Sequence, residues 1–274
     1  MPVDLHVHTT ASDGSLAPSV VVRSAAMGGV TALAVTDHDS VDGIVEALEA
    51  AKACGIDLIA GVELSAGAAE DGDVHILGLA LDHTSASLLA TLAGLRERRV
   101  ERAREMTERL SAGGHPLAFE DVLAAAGGGS VGRVHIAQAL VEAGSAETIA
   151  AAFTDFIGRG APFYVHKATL DPHRAVELIH AAGGVAVLAH PGLSGASALP
   201  TLLDAGLDGI EAFHAEHTTY DRDRFAALAA KHGLIVTGGS DYHGPRVHSA
   251  PIGAGGCPAG APAAVRERAT LYSL

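Results

Sequence analysis

Tryptophan is absent from the 274-residue chain, and the aromatic share is only 4%. An extended surface on which successive nucleic-acid bases could stack is therefore poorly supplied. Positive charge is also scarce, because 18 lysine and arginine residues stand against 32 aspartate and glutamate residues, for a net charge of −14. Since nonspecific attraction to a phosphate backbone requires a basic surface, these numbers argue against binding of long nucleic acids.

Cysteine is scarce, long apolar runs are absent, and we expect no secretory leader. Cys54 and Cys257 are the only cysteines and lie far apart, which argues against a disulfide framework. No apolar run approaches the roughly 20 residues that span a bilayer, and Met1 leads directly into a strand pattern. We expect a cytoplasmic protein, monomeric and without a membrane partner.

The dominant pattern along the chain is an alternation of short β-branched runs with alanine-rich helical stretches. This alternation is typical of parallel strands joined by crossover helices. It predicts strands at 3–8, 30–36, 58–64, 74–79, 185–189, 209–213 and 234–237, and connecting helices that include 18–27, 41–53 and 174–182. The sequence therefore predicts an α/β fold of about seven βα units.

One region interrupts this alternation. Residues 88–109 read as a long amphipathic helix in which arginine and glutamate are interleaved, and most of that surface is expected to be solvated. Further helical segments follow up to Pro162 without a convincing strand. We therefore predict a small helical insertion domain at 94–166 that caps the substrate, and a catalytic domain made of 1–93 and 167–274.

Histidine is abundant, with 16 residues scattered along the chain. His6 and His8 lie two apart on a strand, so they face the same side, where one metal ion could bind both. Nearly every other predicted strand also carries a histidine or carboxylate near one end. A convergent cluster of such groups is very costly unless cations occupy it. The candidate ligands are His6, His8, Asp13, His38, Glu63, His75, His190, Asp241 and His243.

The ordered motifs that contain these residues resemble the polymerase and histidinol phosphatase (PHP) superfamily. They are His6-x-His8, Asp13, Thr36-Asp37-His38, Gly61-x-Glu63, His75, Leu188-Ala189-His190-Pro191 and Gly239-Ser240-Asp241-x-His243. The similarity is to its stand-alone branch of 3',5'-nucleoside bisphosphate phosphatases and 5'-3' exoribonucleases. The resemblance implies a distorted (β/α)7 TIM-like barrel and a trinuclear site with three divalent metal ions.

The resemblance also implies how the ligands divide. The first metal would be held by His6, His8, Glu63 and Asp241, the second by Glu63, His75 and His190, and the third by Asp13, His38 and His243. Among these, Glu63, His190, Asp241 and His243 are predicted to be catalytic, with a metal-bridging hydroxide as the nucleophile. Ligands without cysteine suit Mn, Fe or Zn, and the sequence does not choose among them. We expect Asp37 and Asp39 to support ligands or cap helices.

Specificity is expected to come from the insertion and the strand loops. Arg133 follows Gly132 at a predicted helix start, where it could bind a phosphate, and the PHP branch has a similar Gly-Arg-x-His-Ile-Ala segment. Arg133 and His135 are therefore candidate substrate contacts, together with Lys167 and His217. His214, in the same segment as His217, is expected to be solvent-exposed and without a role.

The favoured function is hydrolysis of nucleotide phosphomonoesters, in which a 3',5'-nucleoside bisphosphate gives a nucleoside 5'-monophosphate and phosphate. Short 5'-phosphorylated oligonucleotides are further candidate substrates. The main alternative is a phosphatase for histidinol phosphate or another small molecule. Two other hypotheses are a nonenzymatic metal-binding module, which a complete ligand set disfavours, and an amidohydrolase, which normally needs a carboxylated lysine where Glu63 stands.

Overall fold

The computed structural model describes residues 2–70, 72–167, 169–245 and 250–273. The described strands are β1 (Val3–Val7), β2 (Ala32–Val35), β3 (Asp57–Ala69), β4 (Gly72–Leu79), β5 (Val185–Leu188), β6 (Gly209–His214) and β7 (Ile235–Gly239). The described α-helices are α1 (Pro18–Met27), α2 (Ile44–Cys54), α3 (Ala86–Ala112), α4 (Phe119–Ala126), α5 (Arg133–Glu142), α6 (Ile149–Ala152), α7 (Pro172–Ala181), α8 (Leu199–Asp204), α9 (Thr219–His232) and α10 (Ala261–Ala269). All seven predicted strands are present.

The seven strands form one sheet in chain order from β1 to β7. The two ends of the sheet meet beyond β7, where Val7 and Tyr242 form a parallel bridge. His8 N–H donates to Tyr242 O at 2.8 Å, and Asp241 N–H donates to His6 O at 2.9 Å. The result is a nearly closed seven-stranded barrel, which confirms the predicted fold class.

The prediction that all strands are parallel is wrong for β4. This strand pairs antiparallel with β3 and with β5, whereas the remaining neighbouring pairs are parallel. The reason is that β3 and β4 follow each other with almost no intervening chain, and so short a connection permits only an antiparallel hairpin. The reversal places the beginning of β4 at the same rim of the barrel as the ends of the parallel strands.

Local signals explain why the connecting helices begin and end where they do. Pro18 occupies the first turn of α1, where its missing N–H costs nothing. Gly55 ends α2 in the left-handed conformation, with φ at 70°. Thr218 and Asp221 form a capping box at the start of α9. These helices pack their apolar faces on the barrel and leave its rim to the loops.

Helix α3 belongs to both parts of the molecule. Its first half contributes Leu88, Leu92 and Leu95 to the barrel core. Its second half contributes Met106 and Leu110 to a separate core formed with α4 and α5. The predicted domain boundary at residue 94 therefore falls inside a continuous helix, and the insertion is built onto the far half of that helix. No helix in the described ranges is long and apolar enough to cross a bilayer.

The buried carboxylate of Asp208, just before β6, holds the C-terminal helix α10 against the barrel. Asp208 Oδ2 contacts His180 Nε2 at 2.8 Å and accepts Ala186 N–H at 3.0 Å. Its other oxygen accepts Arg268 Nη1 at 3.1 Å and the Tyr272 hydroxyl at 2.8 Å. Burial alone would raise the pKa of Asp208, but these hydrogen bonds lower it below its ordinary value.

We expect Asp208→Asn to lower the free energy of unfolding by about 2–4 kcal/mol, because an amide cannot accept all four bonds. Since the pKa is lowered in the folded state, the stabilisation is present above the unfolded value of about 3.9 and is lost as the pH falls through the folded value. Urea unfolding at pH 7 and at pH 3.5 measures both effects. The matched control is Asp57→Asn, which breaks an exposed pair with Arg266 and should cost under about 1 kcal/mol. Equal losses for the two variants would contradict this account.

Candidate metal centre

All nine predicted ligands lie at one rim of the barrel. His6 lies in β1, His8 directly follows it, Asp13 lies in the loop between β1 and α1, and Glu63 lies in β3. His38, His190, Asp241 and His243 follow the ends of β2, β5 and β7. His75 lies near the start of β4, and the antiparallel direction of that strand brings it to the same rim. Gly239 lets β7 approach β1 closely, since a Cβ at this position would collide with the Cβ of His6.

Glu63 lies at the centre of this cluster, 1% exposed. Its Oε2 atom lies 3.4 Å from His6 Nε2, 3.3 Å from His8 Nε2 and 2.8 Å from His38 Nδ1. Its Oε1 atom lies 2.8 Å from His75 Nδ1 and 3.1 Å from His190 Nε2. Burial raises the pKa of Glu63, but the surrounding imidazoles outweigh burial and hold it well below its ordinary range. The carboxylate is therefore ionised and shared by two sets of histidines.

Among the described residues, three overlapping groups of ligand atoms are close enough to hold cations. They are His6, His8 and Asp241; His38, Glu63 and His75; and His8, Asp13, His38 and His243. These groups share most of their members with the three sets that the family resemblance implies. They differ in that Glu63 does not lie with the first group, His38 takes the place of His190 in the second, and His8 joins the third. His190 belongs to none of the groups found among the described residues, although its Nε2 lies 3.1 Å from Glu63 Oε1.

The unpaired atoms at the centre fit metal ions. His8 Nδ1, Glu63 Oε2, His75 Nε2 and His190 Nδ1 are buried and make no hydrogen bond with any residue that the structure describes. In addition, His6 Nε2 lies 3.1 Å from His8 Nε2, and His75 Nδ1 lies 3.3 Å from His190 Nε2. Each of these pairs forms an N–H···N hydrogen bond in one tautomer, and with both facing nitrogens unprotonated the two lone pairs can bind one cation. Imidazole and carboxylate donors suit Mn, Fe or Zn.

Glu211, on β6, has a supporting role that the sequence did not reveal. It is fully buried, and its Oε1 lies 3.1 Å from His6 Nδ1 while its Oε2 accepts the His190 N–H at 2.8 Å. Burial would raise the pKa of Glu211, but the adjacent His6 holds it at about 2. A carboxylate at Nδ1 fixes the ring so that Nε2 faces the centre. Its place near the end of a strand, like that of the ligands, is the signal that could have identified it.

Asp37 and Asp39 lie beside the ligands and orient the loops that hold them. Asp37 accepts Thr9 N–H and Oγ1 at 2.7 Å and Ser12 Oγ at 2.6 Å, which shapes the loop between β1 and α1. Asp39 accepts Arg99 Nε at 2.6 Å. Neither carboxylate belongs to the three ligand groups found among the described residues.

Backbone strain is concentrated at this rim. Among the described residues other than glycine, positive φ angles occur at Asp39 (48°), Ala80 (56°), His190 (30°) and Asp241 (53°). Three of these four are ligands or their neighbours. Such conformations cost free energy and persist only where the surroundings impose them, which is typical of functional sites.

Two of the candidate substrate contacts, Arg133 and Lys167, are basic side chains. Arg133 begins α5, and its guanidinium lies 5.4 Å from the centre of the Phe153 ring and 5.7 Å from that of Tyr164. Burial, followed by the charge of Arg99, lowers the pKa of the Lys167 ammonium to about 7. A Cβ on Gly132 would lie 3.6 Å from Asp13 Oδ2, so the start of α5 adjoins the predicted ligands.

The histidines among the candidates are already engaged with the backbone. His135 is buried and its Nδ1 accepts the Gly132 N–H at 3.0 Å. His217 Nδ1 lies 2.9 Å from Ala212 O, and its Nε2 accepts the Gly192 N–H at 3.0 Å. Both ring nitrogens of His217 therefore hold loops at the rim in this structure.

The expectation that His214 is solvent-exposed is wrong. It ends β6 with 0% exposure, and its Nε2 lies 3.7 Å from Asp241 Oδ2. Strand β6 extends one residue further than the sequence pattern indicated, and this extra residue turns the ring into the barrel.

Arg102 is a residue at the rim that the sequence did not single out. Its Nε donates to Val165 O at 2.8 Å, whereas its buried Nη2 has no hydrogen-bond partner within the described part of the chain. Burial, and then the neighbouring Arg133, lowers the pKa of Arg102 to about 10. Two guanidinium groups held together, one with an unsatisfied donor, are suited to an anion.

Comparison with known proteins agrees with this geometry. A PHP domain match covers residues 4–165. The 5'-3' exoribonuclease Rnm of Salmonella typhimurium is 39% identical over 250 residues, which cover 88% of this chain and 85% of that protein. The 3',5'-nucleoside bisphosphate phosphatase of Chromobacterium violaceum is 37% identical over 250 residues, which cover 89% of this chain and 87% of that protein.

A solved structure from Bifidobacterium adolescentis, assigned as a metal-dependent phosphoesterase, superposes with a TM-score of 0.88 at 33% identity. The superposition covers 100% of this chain and 98% of that one. Fold, ligand arrangement and similarity over almost the whole chain agree, so the resemblance drawn from the motifs is confirmed. The chain belongs to the PHP domain family and is a metal-dependent phosphoesterase.

Proposed function

We propose that this enzyme removes phosphate from nucleotides, with 3',5'-nucleoside bisphosphates as its preferred substrates and nucleoside 5'-monophosphate and phosphate as products. The observation that carries the proposal is the juxtaposition of the predicted ligands with basic groups of the insertion and with Lys167, which directly follows it. A Cβ on Gly132, next to Arg133, would lie 3.6 Å from Asp13 Oδ2. Burial lowers the pKa of His75 and the nearby charge of Lys167 lowers it further. A phosphorylated substrate with a second phosphate fits a site with two positively charged regions.

The distribution of charge supports a small substrate. The insertion at 94–166 has eight basic and nine acidic residues and is nearly neutral, whereas the rest of the chain has 10 basic and 23 acidic residues. An acidic body repels a long polyanion, but bound cations beside the few basic side chains that face them attract a compact one. A short 5'-phosphorylated oligonucleotide end meets the same requirement, as the name of the Salmonella relative suggests.

We further propose that three divalent cations are held as the family resemblance implies, by His6, His8, Glu63 and Asp241; by Glu63, His75 and His190; and by Asp13, His38 and His243. When bound, such cations lower the pKa of a coordinated water and neutralise charge on the phosphoryl group. Glu63 contributes one oxygen to each of two histidine sets, Glu211 fixes the His6 ring, and Arg133 and Lys167 bind and orient the phosphates. His190, Asp241 and His243 complete the catalytic set.

A panel of substrates tests the proposal. The metal-loaded enzyme should release phosphate from adenosine 3',5'-bisphosphate with a kcat/KM at least tenfold above that for adenosine 3'-monophosphate, because only the bisphosphate offers a second phosphate to the basic side chains beside the cluster. The panel includes a 5'-phosphorylated trinucleotide and histidinol phosphate. A hundredfold preference for histidinol phosphate, about 2.7 kcal/mol, would favour the alternative. Absence of metal-dependent phosphate release from every nucleotide would refute the proposal.

The shared position of Glu63 predicts unequal losses among the ligands. Glu63→Gln should lower the bound Mn by more than one equivalent per chain and kcat by about 100-fold or more, because both its oxygens face histidine sets. His243→Gln should remove about one equivalent with a smaller loss of kcat, since in the proposed assignment His243 holds only the third metal whereas Glu63 holds the first and the second. Elemental analysis after dialysis and initial rates measure the two quantities.

The matched control is His232→Gln, an exposed histidine at the end of α9 that should retain full metal content and rate. Thermal unfolding of the metal-free variants checks that each is folded. Comparable rates and metal contents for Glu63→Gln and His243→Gln would show that Glu63 does not link two metal ions.

Arg133 is predicted to bind the phosphate that is not cleaved. Arg133→Gln should lower kcat/KM for adenosine 3',5'-bisphosphate by about 10–100-fold, roughly 1.4–2.7 kcal/mol, mostly through KM. The loss for adenosine 3'-monophosphate should be several-fold smaller, because that substrate lacks the second phosphate. Arg159→Gln, an exposed arginine of the insertion, is the control. Equal losses for both substrates would assign Arg133 to the cleaved phosphate instead.

A further inference from the structure

We propose that Arg99 is a positioning residue that couples the helical insertion to the metal ligands His38 and Glu63. Arg99 lies on α3, whose surface the sequence predicted to be largely solvated. Its side chain is nevertheless only 8% exposed, whereas the adjacent Arg98 is exposed. The proposal rests on the metal centre described above and assigns a role to a residue outside that centre.

The Arg99 guanidinium contacts three separate segments. Its Nε donates to Asp39 Oδ2 at 2.6 Å, its Nη2 lies 3.4 Å from Ser65 Oγ, and its Nη1 lies 3.5 Å from Val131 O. These segments are the loop after β2, strand β3 and the stretch that leads into α5. One rigid, planar group thus joins the insertion to two strands of the barrel.

Two of those segments carry proposed metal ligands. Asp39 directly follows His38, holds a strained φ of 48°, and donates its N–H to Glu63 O at 3.0 Å. Ser65 is two residues beyond Glu63 and donates its N–H to Asp39 Oδ1 at 3.2 Å. The Arg99–Asp39 pair therefore holds the backbone on which His38 and Glu63 are mounted.

The third segment connects the pair to the predicted substrate contacts. Val131 precedes Gly132 and Arg133, and a Cβ on Gly132 would lie 3.9 Å from Arg99 Nη1. Arg99 therefore links the position of α5 to Asp39, beside the separate contact between Gly132 and Asp13. By linkage, metal binding that orders His38 and Glu63 must also stabilise the start of α5.

A second ion pair also joins α3 to the loop after β2. Comparing its loss with the loss of the Arg99–Asp39 pair distinguishes a positioning role from simple attachment of the helix to the loop. Arg96 pairs with Asp42, but these side chains are 34% and 57% exposed. Exposed ion pairs contribute little to stability, whereas a buried carboxylate that loses its partner keeps a charge that nothing of opposite sign pairs with. Arg96→Gln and Arg98→Gln remove the same charge from the same helix as Arg99→Gln and are its matched controls.

The test uses the full-length protein and Mn alone, without substrate. Arg99→Gln and Arg99→Lys should weaken the most weakly bound Mn at least tenfold, as measured by calorimetric titration of the metal-free protein. Lysine keeps the charge but cannot bridge Asp39 and Ser65. In the wild type and in both controls, Mn should slow amide hydrogen exchange at residues 133–142, and in Arg99→Gln this slowing should be lost.

A lower melting temperature with unchanged Mn affinity and unchanged exchange coupling would show that Arg99 is only structural and would overturn the inference. Where Arg99→Gln does not fold, the double variant Arg99→Met with Asp39→Asn removes both buried charges together. Wild-type Mn affinity in that folded variant would likewise overturn the inference. Failure of the wild-type protein itself to bind Mn would instead overturn the proposed metal centre.

Discussion

The architecture of the rim depends on one ionised carboxylate in a buried position. Glu63 has five imidazoles within 3.4 Å of its two oxygens, and the favourable charge interactions keep it deprotonated despite burial. Each of those rings must in turn be held by its own strand, loop or supporting carboxylate. The barrel closure, the antiparallel β4 and the strained residues at the rim all serve to bring these rings to the same point.

Much of this arrangement was readable from the sequence. The seven strands and the shared face of His6 and His8 followed from periodicity, since alternate residues of a strand face one side. The ordered motifs through Asp241 and His243 identified the family, and the fold and family similarity confirmed it. The helical nature of the insertion followed from its arginine and glutamate spacing. These features are local, which is why a single sequence specifies them.

The features that escaped prediction depend on tertiary contacts. Strand direction is not encoded in β4 itself, so its reversal and the resulting placement of His75 came from the structure. Glu211 became meaningful only when the closed barrel was seen to bring β6, two strands away across β7, within reach of His6, which is 205 positions distant in the sequence. Arg99 looked like its exposed neighbours, since amphipathic spacing does not reveal which arginine meets a buried carboxylate.

The closure of the barrel has a consequence for biosynthesis. The first candidate ligand is residue 6 and the last is residue 243, and backbone hydrogen bonds between His8 and Tyr242 join the two ends. When the insertion has just emerged from the ribosome, the nascent chain still lacks β5 to β7, and therefore His190, Asp241 and His243. Because such distant contacts form only after the chain ends meet, the helical insertion can fold early while the reactive centre is assembled last. An incomplete chain of this length already carries six of the nine candidate ligands, but each of the three proposed metal sets lacks at least one member until the last strands are made.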